Sequence, residues 1–135
     1  MKTSNRKAII LIAVVILLSV TVGVSSEIFP MESNVFIQAS VALASDMYAS
    51  FDASLHQPYP TIAVTSCTLQ KQVSGAWITI GSVPAPSYVA RNTSWYAADA
   101  SYSTYCTKGQ TYRIKAVFSA GGESVTRYSL GVTYQ

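Results

Sequence analysis

From Met47 to His56 the chain alternates without a break. Met47, Ala49, Phe51, Ala53 and Leu55 are apolar, and Tyr48, Ser50, Asp52, Ser54 and His56 between them carry polar groups. Successive side chains of a strand point to opposite faces, so this period of two fits a half-buried β-strand. The pattern recurs in Val35, Ile37, Ala39, Val41 and Leu43, and in Tyr112, Ile114, Ala116 and Phe118, where Arg113 and Lys115 take the outward positions. Tyr128, Leu130, Val132 and Tyr134 repeat it near the C-terminus. TIAVTSCTLQKQ and AWITIGS are rich in β-branched residues and flank a Ser74-Gly75 turn, and a less regular strand is expected within YVARNTSWYAADA. Ser45-Asp46, Pro84 and Pro86, Lys108-Gly109 and Gly121-Gly122 supply further turns. Pro58-Tyr59-Pro60 is expected to end the second strand, because proline removes ladder donors. No helical period of 3.6 is sustained after residue 26. Seven short strands at near-regular spacing predict an all-β fold, a single antiparallel immunoglobulin-like β-sandwich over residues 34–135, with residues 27–33 as a loose lead-in.

The N-terminus reads differently. Lys2, Arg6 and Lys7 precede an apolar run, Ala8 to Val22, interrupted only by Ser19 and Thr21. Val24-Ser25-Ser26 then offers small residues for cleavage, so residues 1–26 are expected to be a signal peptide and Glu27 the mature start. A helix over that run would measure about 23 Å, short of a hydrocarbon core of about 30 Å. A secreted product is therefore expected, the alternative being a membrane anchor through an uncleaved N-terminal helix. The whole chain carries +3, yet residues 27–135 hold six basic and six acidic side chains. That neutral remainder lacks the basic stripe needed to neutralise phosphates, which argues against nucleic-acid binding.

Two cysteines in an exported chain are expected to pair, since the compartment is oxidising. Closing Cys67 to Cys106 would constrain a loop of about 40 residues, worth about 4 kcal/mol in the chain-entropy view. Cys67 followed by Trp77 suggests the pin of an immunoglobulin domain, which joins the second strand to the sixth. Here two strands precede Cys67, and Cys106 comes before Lys108-Gly109. The expected disulfide is instead a staple from the third strand to the corner entering the sixth. Trp77 depends on the length of the Ser74-Gly75 loop. An even loop sets Trp77 beside Gln72 on the outer face, an odd one sets it with Val73 and Leu69, and the burial of a large ring favours the inward placement.

LQKQVSGAWITIG and, about thirty residues later, KGQTYRIKAVFSAGGES resemble small exported proteins of Gram-positive bacteria. The shared features are Leu69-Gln70-Lys71, Gly75 and Trp77, then Lys108-Gly109, Tyr112-Arg113 and Gly121-Gly122-Glu123. The resemblance covers residues 62–134 and implies a leader followed by one immunoglobulin-like or fibronectin-like sandwich. It brings no activity to transfer, and the cysteine pair does not map onto it.

Few residues carry reactive chemistry. His56 is the sole histidine, and Ser54 and Asp52 share its strand face, but neighbours two apart on one strand do not usually form a nucleophile relay. A glycosidase would need two of Asp46, Asp52, Asp99 and Glu123 to converge. One histidine and two distant cysteines lack metal-ligand spacing, and no phosphate-binding loop is present, so neither metal nor cofactor is expected. Asn92-Thr93-Ser94 matches a glycosylation acceptor, idle in a bacterium. Trp95, Tyr96, Tyr102 and Tyr105, in a Ser/Thr-rich stretch, are the candidate binding surface, because rigid aromatics lose little entropy on contact. The sequence thus points to a non-catalytic exported module that binds a protein or a cell-wall glycan, or serves a structural role. A small secreted hydrolase or inhibitor on the same scaffold is the alternative.

Overall fold

A computed structural model describes residues 33–135. The expected leader, its cleavage site and nearly all of the lead-in lie outside the described residues. The rest is all-β, with seven strands joined by hydrogen bonds into one antiparallel sheet and a single short 3-10 turn at Ser103–Tyr105. The strands are β1 (Phe36–Leu43), β2 (Tyr48–Val73), β3 (Ala76–Val83), β4 (Val89–Ser101), β5 (Thr111–Ala120), β6 (Glu123–Tyr128) and β7 (Val132–Thr133). Among the described residues, no helix is long and apolar enough to cross a membrane.

The count matches the seven expected strands, but two departures offset each other. Pro58-Tyr59-Pro60 does not end a strand, since β2 runs 26 residues through it. The prolines instead mark a change of partners. Before them β2 pairs with β1 (Ala53 opposite Ala39) and with β4 (Ala53 opposite Tyr96). After them β5 replaces β1 (Leu69 opposite Ile114), while β4 stays alongside as far as Ala63 (opposite Val89) before β3 follows on that side (Lys71 opposite Ile78). The register against β4 slips between Ser54 and Tyr59, so neither proline occupies a ladder position where an N–H would be needed. Conversely, the expected last strand is two. Ser129 is fully buried, and its N–H donates to the Ile114 carbonyl at 2.9 Å. The Ile114 N–H donates not to the Ser129 carbonyl but to its Oγ, also at 2.9 Å. The side chain replaces the main chain in the ladder, and β6 stops there before β7 resumes pairing opposite Thr111 and Tyr112.

The core follows the period of two. Met47, Ala49, Phe51, Ala53 and Leu55 are all buried, as are Tyr112, Ile114, Ala116, Phe118 and Ala120. Phe51 of β2 and Phe118 of β5 meet edge to face with ring centroids 6.4 Å apart, a contact worth about 1 kcal/mol beyond its area. Ile37 departs from the expectation. A register shift between Phe36 and Gln38 turns Phe36 into the core and leaves Ile37 53% exposed.

The two ends of the described chain are tied at different places. The Ser33 hydroxyl donates to Glu123 at the β5–β6 turn and accepts the Phe36 N–H at 2.8 Å. Gln135 donates its N–H to the Ser45 carbonyl at 3.0 Å, in the β1–β2 connection.

Candidate functional site

The expected disulfide does not form. Cys67 and Cys106 are both free and lie apart. Cys67 faces the core in the row Val83–Cys67–Ala116, with the buried Tyr102 nearby. The Tyr102 hydroxyl lies within hydrogen-bonding reach of the thiol and also donates to the Pro84 carbonyl at 2.7 Å. The 3-10 turn after Tyr102 then carries Cys106 to a half-buried position. Burial pushes both thiols up to about 11, so they stay protonated and weakly nucleophilic near neutral pH.

The four aromatics of the candidate surface divide evenly. Trp95 is 63% exposed and Tyr105 48% exposed, whereas Tyr96 and Tyr102 are core residues. Adjacent strand residues face opposite ways, which separates Trp95 from Tyr96. The Tyr96 hydroxyl donates to the Tyr88 carbonyl at 2.9 Å, and its ring stacks on Tyr88 at 5.6 Å. Tyr102 was readable as buried only with the packing around Cys67 known. Trp95 and Tyr105 do not converge, because Trp95 stands at the middle of β4 and Tyr105 lies in the 3-10 turn beyond its end.

Trp95 has other company. Strand pairing sets Gln38, Ser54 and Trp95 in one row of the outward face, Ser40, Asp52 and Ala97 in the next, then Ala42, Ser50 and Asp99. Tyr48, 42% exposed, lies at the far end opposite Ser101. Gln38, Ser54 and Ala97 hold the outward positions nearest the indole, while Ser40 in the next row is buried. Burial raises the Asp52 carboxyl above the usual carboxylate range. The Tyr48 hydroxyl donates to the Asp99 carboxylate, and that bond, with desolvation and the negative charges of Asp99 and Asp46, holds the phenol above its ordinary value.

His56 is not part of a relay. Its Nε2 lies 3.2 Å from the Ser33 carbonyl oxygen, and among the described residues no hydrogen bond joins it to Ser54 or Asp52. Among the same residues no three His, Cys, Asp or Glu side chains group as a metal site.

A second cluster was not foreseen as a site. Ser74 and Gly75 both have positive φ (50° and 82°), which makes a two-residue turn of the hairpin-favoured kind. Val73 therefore pairs with Ala76 and Gln72 with Trp77. Trp77 lies on the outer face, and the inward placement favoured by its size is incorrect. Its burial comes from another source. The Arg113 guanidinium carbon lies 4.6 Å from the Trp77 ring centroid and 4.5 Å from that of Tyr128. Arg113 Nε donates to Gln70 Oε1 at 2.7 Å, and Gln70 Nε2 donates to Thr79 Oγ1 at 3.3 Å. The Trp77 ring reaches across to Gly131, where an added Cβ would lie 2.7 Å from its Cη2. Each cation–π contact at such a half-exposed position is worth about 0.5–1 kcal/mol. The alternation around Arg113 was readable in sequence, but its pairing with Trp77 and Tyr128 required the registers of three strands.

Compared with known proteins, the chain matches no family model and no curated sequence.

Proposed function

We propose that residues 33–135 form an immunoglobulin-like β-sandwich, exported behind a cleaved leader, that acts outside the cell as a non-catalytic binding module. The sandwich reading is supported by the exchange of neighbours along β2 and by the Phe51–Phe118 contact between its two halves. Along one side of β2 the neighbour changes from β1 to β5, and along the other from β4 to β3 beyond Ala63, an exchange that suits two layers sharing one strand.

The observation that carries the function is Trp95. A large ring 63% exposed in mid-strand, amid serine, alanine and glutamine, leaves most of its surface in water. An exposed aromatic beside polar groups suits stacking against a sugar ring, so a cell-wall glycan is the partner of this reading, with a surface protein as the other candidate. The test is retention of the exported protein on insoluble cell-wall sacculi. Trp95→Ala should lower the affinity about tenfold while leaving the melting temperature unchanged. Equal retention of the variant, or no retention of the parent, overturns the reading.

A further inference from the structure

We infer that the Arg113 cluster is a second binding site, for a carboxylate carried on an acidic glycan. Arginine has five N–H donors in a planar fork. Among the described residues Arg113 uses Nε on Gln70, and its guanidinium carbon lies over the rings of both Trp77 and Tyr128. The group is thus oriented before any ligand arrives, with the rest of the fork at its edge. Bidentate carboxylate recognition needs that edge, and a held fork loses little freedom on binding.

The charge around it is one-sided. Lys115 stands two residues along β5 on the same outward face, about 7 Å away. The four carboxylates of the described residues are elsewhere. Asp46 precedes β2, Asp52 lies in its first half, Asp99 is on β4, and Glu123 accepts from Ser33 at the β5–β6 turn. The partner strand offers Gln70 opposite Arg113 and Thr68 opposite Lys115, both neutral hydrogen-bonding groups. A preorganised cation, a second cation beside it, aromatic edges and neutral hydroxyl and amide groups complement a polymer of acidic sugars. A phosphate-bearing polymer would engage the same fork but offers no sugar ring to the aromatic edges.

This inference rests on the reading of the chain as an extracellular binder, but it uses residues remote from Trp95. The test therefore uses the Trp95→Phe protein, whose remaining tryptophan, Trp77, reports on the cluster by fluorescence. Oligogalacturonate should shift the emission and bind more weakly as salt rises, because exposed charges are screened. The fully methyl-esterified oligomer, with the same backbone and no charge, should not bind, and polyphosphate should bind at least tenfold more weakly. Arg113→Gln should abolish the response, and Lys115→Gln, which leaves the stack intact, should weaken it severalfold. Equal binding of the methyl ester or of polyphosphate overturns the proposal. So does an unchanged affinity in Lys115→Gln, a readout that stands if Arg113→Gln fails to fold. Loss of sacculus binding by Trp95→Ala with oligogalacturonate binding intact would separate the two sites.

Discussion

At the scale of single residues, the chemistry is governed by which side of a strand a group occupies. Asp52 faces outward, yet the Ser40–Asp52–Ala97 row covers enough of it for burial to raise its carboxyl. Between the unfolded value near 3.9 and the higher folded value, the native state binds more protons than the unfolded chain. Stability therefore falls as pH rises through that interval, and the cost is complete above the folded value. Asp52→Asn should raise the melting temperature at about pH 7 and change it little below about pH 3, as thermal melts across that range would record. A variant less stable at neutral pH would show that the carboxylate is favourably paired instead. The same alternation made most of the core legible from sequence. Phe36 and Ile37 exchanged places because a one-residue register shift leaves no mark in the hydrophobic pattern.

At the scale of elements, the strands were legible but their ends were not. Proline at 58 and 60 signals a missing donor, and that signal is the same whether a strand stops or changes partners. Ser129 gave no signal at all, since a serine accepting from the opposite backbone looks in sequence like any outward polar residue. Its role sets a clear expectation. Ser129→Ala would leave the buried Ile114 N–H without its acceptor and should destabilise the protein by about 1–3 kcal/mol in chemical denaturation. Amide exchange at Ile114 should quicken in parallel. A neutral substitution would mean that the Ser129 carbonyl takes over the bond. Strand β6 shows a further device. Arg127 pairs opposite the core-facing Ala116, which directs a charge inward along a strand with a single neighbour. Inward charges of this kind discourage the addition of foreign strands.

For the whole molecule, the decisive departure is the absent sulfur link. The oxidising compartment suggests the pair, but it does not encode where the fold sets the two thiols, which are free and apart. Stability then rests on the buried aromatic and aliphatic residues alone, and the melting temperature should be the same with and without reductant. Alkylation in denaturant without prior reduction should add two groups per chain by intact mass. Labelling of the folded protein should be slow at both thiols, with Cys67 reacting only on unfolding. A chain that takes up label only after reduction would restore the staple. The aromatic surface was legible in half, because sequence shows that Trp95 and Tyr96 must diverge but not which one the core receives.

The anchoring of Ser33 beside the β5–β6 turn and of Gln135 beside the β1–β2 connection gives the molecule a base and a summit. Any stalk joined ahead of Ser33 would plant it on the Gly121–Gly122 corner. Such a stalk would leave Gln135, held at the β1–β2 connection, as a separate point of attachment.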